Sequence, residues 1–130
     1  TTRLYNLAYC SLYLIGDLKM LKVILHIDEN HKWNTLLSNV KNLKEWLIQN
    51  KEPGKIEILV NGEAVEMVLK ASPVQLEEVL KTGVKVAVCQ NSLNTRGYKE
   101  GMLQKGCTVV PAGIVELVQK QNSGFAYVKP

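Results

Sequence analysis

The chain has 130 residues, of which 46% are hydrophobic and 22% are charged. These proportions are ordinary for a globular domain, and they disfavour collagen-like, disordered and supercharged classes of protein. The net charge of +4 comes from basic residues scattered without a run, and with one phenylalanine there is no stacking motif, so nucleic acid is not an expected partner.

The first nineteen residues do not share the pattern of the rest. Leu4 to Gly16 is an uncharged, largely apolar stretch of thirteen residues, shorter than the roughly 20 residues that span a bilayer. No cleavage pattern of a secretory signal follows it. Because Met20 stands directly before an apolar run, we expect it to be the natural start. Residues 1–19 are then an extension outside the core, residues 20–130 form one α/β domain, and no membrane is involved.

Short runs rich in valine and isoleucine recur along the rest of the chain. They predict strands at Val23–Ile27, Ile56–Val60, Val84–Val88 and Thr108–Val110, with Phe125–Val128 as a fifth candidate. The first, third and fourth runs do not alternate cleanly between apolar and polar residues, which is typical of strands covered on both faces. The second run contains a glutamate between two isoleucines, so we expect this strand to lie nearer an edge.

Helical patterns separate these runs. The longest is an apolar stripe with spacings of three and four, made of Trp33, Leu36, Leu37, Val40, Leu43, Trp46 and Leu47. Shorter helices are predicted around Val65–Leu69, from a capping box at Ser72 to Gly83, and from Ile114 to Gln121. Strands that alternate with helices imply right-handed crossovers, a mainly parallel sheet and a three-layer α/β/α sandwich.

In an open parallel sheet, ligands bind outside the carboxyl ends of the strands. The residues predicted at those ends are polar or small, and they include His26, Asn61, Cys89, Asn91 and Gly113. Such residues follow the strands of any α/β domain to some degree. Position alone therefore makes them candidates for a pocket and does not identify a reaction.

Cys89 is the strongest candidate for chemistry, because it ends a predicted strand and a short helix is predicted to follow. The free N–H groups at a helix N-terminus stabilise a thiolate and lower its pKa, which makes the sulfur nucleophilic near neutral pH. Arg96 adds positive charge if the helix folds back at Gly97. The alternative is that Cys89 is a small buried hydrophobe at the end of a strand, since free cysteine is often buried.

Two histidines and two further cysteines give no sign of a metal site. His26, at the first strand's exit, can orient a substrate or exchange a proton, or it can be a satisfied histidine at the sheet edge. His31 has no cysteine at ligand spacing. Three cysteines without a C-x-x-C pair favour a reducing cytoplasm over a disulfide framework. Fingerprints of nucleotide-binding loops are absent, so no cofactor is expected.

Three segments carry a family resemblance: Lys85–Leu93, Val109–Leu117 and Gly124–Pro130. They resemble the DsrE/DsrF-like family, which is associated with intracellular sulfur oxidation and sulfur relay. The resemblance extends over Leu21–Pro130. It implies a five-stranded parallel sheet between helices, assembly into trimers or hexamers and, in the sulfur-relay members, a persulfide-carrying cysteine after the third strand. By position that cysteine is Cys89.

The expected function is that of a sulfur carrier or sulfurtransferase-like protein, with a persulfide on Cys89. Its partners are sulfur donor and acceptor proteins or small sulfane-sulfur compounds. His26, Asn61, Asn91, Arg96 and Gly113 are expected to line or support the site. Gln90 and Asn91 replace the small apolar residues that follow the cysteine in the relay subunits. The alternative function is a non-catalytic module of the same fold that binds a small ligand or assembles into an oligomer.

Overall fold

The structure, a computed structural model, describes residues 20–130. Its sheet has five strands in the order β4-β3-β2-β1-β5, and every neighbouring pair is parallel. The strands are β1 (Leu21–Ile27), β2 (Gly54–Val60), β3 (Lys85–Cys89), β4 (Thr108–Val110) and β5 (Ala126–Val128). The predicted parallel α/β architecture is therefore confirmed. The predicted extension, residues 1–19, lies outside the described residues.

Four α-helices connect the strands: α1 (Trp33–Gln49), α2 (Glu77–Lys81), α3 (Gln90–Arg96) and α4 (Gly113–Asn122). Short 3-10 helices occupy Asn30–Lys32, Gly62–Val68 and Glu100–Met102. Each crossover joins parallel strands, so the carboxyl ends of all five strands lie at one edge of the sheet. The predicted strand-exit residues are thereby gathered at that edge.

The two faces of the sheet are covered unequally. One face packs a large core against α1, α3 and the 3-10 helix at Gly62–Val68, and Trp33 at its centre is fully buried. The other face has a smaller cluster under α4, made of Ile24, Leu59, Ala87, Val110 and Leu117, with Phe125 packed beside it. Helices on both faces complete the predicted three-layer sandwich.

The prediction that the second strand lies near an edge is wrong, because β2 is the central strand. The alternation that led to it comes from Glu57, whose side chain points to the α4 face, where the residue is only 2% exposed. A charged side chain tolerates this burial because two lysines, Lys85 and Lys120, lie within ion-pair distance of it. The alternation therefore reflects a buried ion cluster and not a solvated face.

The helix predicted from Ser72 to Gly83 also differs in extent. The predicted capping box forms a local turn, in which the Val74 N–H donates to Ser72 Oγ and Gln75 Nε2 donates to the Ser72 carbonyl. The α-helix itself begins only at Glu77, and Gln104 Oε1 accepts the Leu76 N–H just before it. Tertiary hydrogen bonds from Gln104 thus replace the first helical turn. Gly83 does adopt the predicted left-handed conformation, with φ of +89°.

Candidate functional site

Cys89 joins the third strand to the following helix. It is the last residue of β3 and the N-cap of α3, with extended backbone angles, and no loop residue separates the two elements. The residue is 6% exposed. Its sulfur accepts a hydrogen bond from the Gly113 N–H at 3.2 Å. The first turn of α3 and the first residue of α4 therefore converge on one thiol.

The acidity of this thiol is set by two opposing effects. Burial by itself raises the pKa of Cys89, because it penalises the charged thiolate. Hydrogen bonds from the Ser92 hydroxyl and from the backbone N–H groups of Gly113, Ser92 and Asn91 lower it. The hydrogen bonds prevail, and the pKa of Cys89 lies below its ordinary value. The arrangement can therefore hold a thiolate, which is the nucleophilic form of cysteine.

Gly113 fits closely between two strand ends. A Cβ atom at this position would lie 3.3 Å from Cys89 Cβ, 3.5 Å from Asn61 Cβ and 3.2 Å from Leu59 Cδ1. Any larger residue would push α4 away from the ends of β2 and β3. Glycine is therefore what allows the Gly113 N–H to reach the sulfur, and it places Asn61 and Cys89 on either side of the same turn.

A chain of side-chain hydrogen bonds crosses the neighbouring strand ends. His26 Nε2 lies 2.8 Å from Asn61 Oδ1, and His26 Nδ1 lies 2.7 Å from the Tyr127 hydroxyl. A carboxamide oxygen only accepts, so Nε2 carries the proton, and in the neutral ring Nδ1 accepts from the hydroxyl. His26 is thus oriented from both sides by residues on β5 and after β2.

The predicted site residues fall into two groups. Cys89, Gly113, Asn61 and His26 form a continuous series of contacts, and Asn91 contributes its backbone N–H to the thiol. Arg96 belongs to a different set of contacts. Its Nη1 donates to the Ser92 carbonyl at 3.2 Å and its Nε lies 3.7 Å from Glu66 Oε1. The donors that lower the pKa of Cys89 are therefore short-range hydrogen bonds, and the guanidinium pairs with a carboxylate.

Cys107 provides a contrast within the same sheet. It lies just before β4, at the amino end of the strand, and it is half-buried. Burial raises its pKa to about 11. This thiol stays protonated at neutral pH, so Cys89 is the more acidic of the two described cysteines.

Sequence reasoning did not assign roles to Ser92 and Tyr127. The Ser92 hydroxyl helps to lower the pKa of Cys89, and its oxygen also accepts the Gly62 N–H at 2.9 Å. A serine three residues after an N-cap cysteine is a usable signal, because the first turn of a helix brings that side chain back to the cap. Tyr127 reaches His26 only because β5 pairs with β1. No local pattern in the sequence shows that pairing.

Several cavities lie elsewhere on the described part of the molecule, two of them beside α1. One of about 620 Å³ is next to Gly54 at the amino end of β2, and one of about 340 Å³ lies between α1 and α2. Neither is lined by a cysteine or a histidine. Within residues 20–130, no three metal-ligating side chains are gathered in a cluster. No helix in this described part of the chain is both long and apolar enough to cross a membrane.

Comparisons with known proteins agree with this architecture. A protein of unknown function from Methanobacterium thermoautotrophicum superposes with a TM-score of 0.74 and 28% sequence identity, over 85% of this chain and 99% of that protein's chain. A conserved protein of unknown function from Bacteroides thetaiotaomicron superposes with a TM-score of 0.65 over 84% and 94% of the two chains, and its 19% identity shows a shared fold alone.

The family comparison covers almost all of the described residues. No curated protein is similar enough to this chain to count as a match. The model of the DsrE/DsrF-like family matches residues 22–130, which include the whole sheet except the first residue of β1. The chain therefore belongs to the DsrE/DsrF-like family.

Proposed function

We propose that this protein is a sulfur carrier in which the Cys89 thiolate holds a sulfane sulfur as a persulfide. The observation that carries the proposal is the hydrogen bond at 3.2 Å from the Gly113 N–H to the sulfur of a buried cysteine at the start of a helix. Together with the neighbouring Ser92 and Asn91 donors, it keeps the pKa of Cys89 below its ordinary value in spite of burial. Membership of a family associated with sulfur relay supports the same role. The proposed partners are a donor and an acceptor of sulfane sulfur in a reducing cytoplasm.

Both steps of the reaction are exchanges at sulfur. The Cys89 thiolate attacks the outer sulfur of a donor persulfide or polysulfide; a new S–S bond forms, the donor's S–S bond breaks, and the donor leaves as a thiolate. An acceptor thiolate then attacks the outer sulfur on Cys89 and releases the Cys89 thiolate. Each S–S bond that forms replaces one that breaks, so no external oxidant or reductant is consumed.

The hydrogen-bond donors serve both halves of this exchange. The Gly113 N–H at 3.2 Å stabilises the sulfur as attacking thiolate and later as leaving group. His26 and Asn61 are joined by a hydrogen bond at the neighbouring strand ends, and we propose that they contact an incoming sulfur compound there. At 6% exposure, Cys89 favours a small donor such as a polysulfide over a bulky disulfide.

The same burial favours a second candidate function. A thiol that is 94% covered can be a packing residue, in which case the domain is a non-catalytic module that binds a ligand or assembles with copies of itself. The two functions differ in whether a reagent in solution reaches Cys89.

Iodoacetamide labelling of the folded protein separates the two functions. The labelled peptides are mapped by mass after reaction at a series of pH values, so that Cys89 is followed apart from Cys107. A carrier is expected to alkylate at Cys89 with a midpoint pH below that of an ordinary cysteine thiol. A Cys89 that stays unlabelled until the protein unfolds would favour the non-catalytic module.

A further inference from the structure

Two carboxylates meet under the first turn of α4. Glu57 on β2 is 2% exposed, and Glu116 on α4 is also largely covered. Lys85 Nζ lies 3.6 Å from Oε1 of each glutamate. Lys120 Nζ lies 3.7 Å from Glu57 Oε1 and 3.9 Å from Glu116 Oε1. Two acids and two ammonium groups therefore form one cluster between the sheet and the helix.

The cluster leaves two oxygen atoms without hydrogen-bond partners. These are Glu57 Oε2 and Glu116 Oε1, both fully buried. A buried acceptor without a donor is costly, and the ammonium groups of Lys85 and Lys120 lie 3.6 Å and 3.9 Å from Glu116 Oε1, beyond hydrogen-bond distance. A proton shared between the two carboxyl groups would supply the missing donor. Burial raises the pKa of Glu57 to about 7, and a hydrogen bond with Glu116 acts in the same direction. Carboxyl groups that share a site often bind one proton between them.

The helical turn that carries Glu116 also carries the donor to the thiol. Glu116 N–H donates to the Ala112 carbonyl at 3.2 Å, which closes the first turn of α4 around Gly113. Gly113 N–H in turn donates to Cys89 Sγ. Because Gly113 is seated closely between Leu59 and Cys89, a small displacement of this turn lengthens the bond to the sulfur.

We propose that Glu57 and Glu116 are positioning residues for Cys89: a proton shared between them holds the first turn of α4 on β2 and so keeps the Gly113 N–H on the sulfur. When that proton is lost, two adjacent carboxylates repel each other across the contact between β2 and α4. The turn then moves away from the sheet, and the thiolate loses one donor. This inference concerns the acidity of Cys89 and holds whether or not the protein carries sulfur.

Charged groups from several elements act on the pair. Lys85 of β3 and Lys120 of α4 contact both acids, and Lys55 of β2 lines the adjoining cavity of about 240 Å³ together with Glu57. Lys22 of β1 lies over the Phe125 ring, as does Lys120. These cations limit the repulsion after deprotonation, so we expect α4 to shift at its first turn and to remain folded.

The test is the pH profile of Cys89 alkylation in four forms of the full chain: wild type, Glu57→Gln, Glu116→Gln and Glu78→Gln. Above about pH 7, the wild-type rate should fall at least about tenfold below the curve for a single ionisation, because the loss of one hydrogen bond to the thiolate has an effect of that size. In each variant the glutamine keeps a neutral hydrogen-bond donor and acceptor. The alkylation rates of both variants should therefore follow the curve for a single ionisation of Cys89. Glu78, an exposed acid on α2, is the matched control and should leave the wild-type deviation intact.

A second measurement uses only the wild-type protein, so it does not depend on whether a variant folds. In wild-type protein, the amide resonance of Gly113 should move with pH at the same midpoint as the carboxyl resonance of Glu57. A Gly113 resonance that is constant through that midpoint would overturn the proposal. So would a wild-type deviation in the alkylation profile that persists in both Glu57→Gln and Glu116→Gln. The carrier function fails separately, through absence of sulfur on Cys89.

Discussion

Cys89 illustrates how several short hydrogen bonds outweigh the cost of burial. A hydrogen bond to a charged group contributes about 1.5–3 kcal/mol, and the Gly113 N–H donates one to this sulfur at 3.2 Å. The nearby Ser92 hydroxyl and the N–H groups of Ser92 and Asn91 also lower the pKa of Cys89. Ser92 is unusual among them because its hydroxyl also receives the Gly62 N–H. One side chain therefore stabilises the thiolate and completes the turn after β2.

Ser92→Ala should raise the pKa of the Cys89 thiol and slow its alkylation at neutral pH. The substitution also leaves the Gly62 N–H without its acceptor, which should cost about 1–3 kcal/mol of stability. Alkylation rates over a pH series and denaturant unfolding measure the two effects. Thr95→Ala is the control, since that hydroxyl bonds only the Asn91 carbonyl at the exposed side of α3. An unchanged Cys89 profile in Ser92→Ala would contradict the account.

At this scale the sequence allowed the residues at the strand ends to be predicted, but not their contacts. The position of Cys89 between a strand and a helix was readable, and so was the gathering of Asn61 and Gly113 at one sheet edge. The bond from Gly113 N–H to the sulfur depends on how closely α4 approaches β2, which no local pattern reveals. Arg96 was expected beside the thiol, but its guanidinium pairs with Glu66 across a separate contact.

Among the elements, α4 connects the Cys89 sulfur with the buried Glu57 cluster. Its first residue contacts the sulfur, and its next turn is anchored by the Glu57 cluster in the centre of the sheet. The sequence suggested an edge strand at Ile56–Val60 because an isolated glutamate between isoleucines is also typical of a half-exposed strand. Only the ion pairs of Glu57 with Lys85 and Lys120 distinguish a buried central strand from a half-exposed edge strand. These ion pairs depend on the tertiary structure.

The stability of the protein should depend on pH through Glu57. Its pKa is raised from 4.5 to about 7 in the folded protein, so the folded state binds more protons than the unfolded state between these values. The contribution of Glu57 to the free energy of unfolding is therefore full below about pH 4.5 and declines as pH rises to about 7, by at most about 3 kcal/mol.

Thermal or denaturant unfolding across this pH range should show the decline in wild type and a flatter curve in Glu57→Gln. The difference between the two curves isolates the residue, because other titrating groups contribute equally to both. Glu78→Gln should retain the wild-type slope. Parallel curves for wild type and Glu57→Gln would show that Glu57 is ionised throughout the range.

At the scale of the whole molecule, we expect residues 20–130 to fold without residues 1–19. The family match begins at residue 22, and the sheet is complete within the described residues. A chain that starts at Met20 should unfold with the same midpoint and cooperativity as the full chain, measured by circular dichroism. An insoluble or non-cooperative shorter chain would show that the first nineteen residues belong to the fold.

We also expect a homo-oligomer, a trimer or a hexamer. The resemblance to the family implies it, and the outer side of α4 exposes Ile114, Val115 and Val118 by 66%, 50% and 49%. Apolar surface of this kind is typical of an interface between copies. Light scattering at micromolar concentration should give a multiple of the 14.6 kDa chain mass, and Val118→Lys should reduce it. A monomeric mass for the wild type would refute the expectation.

Sulfur loading tests the central claim most directly. The full chain is incubated with a polysulfide, and the excess reagent is removed. The intact mass of the protein is then measured by mass spectrometry, and peptide mapping locates the added sulfur. Wild type and Cys107→Ser should gain one or more sulfur atoms at Cys89 that a thiol acceptor removes, and Cys89→Ser should gain none there while keeping its fold. Equal loading of wild type and Cys89→Ser, or loading lost only in Cys107→Ser, would contradict the account and leave the non-catalytic module as the better description.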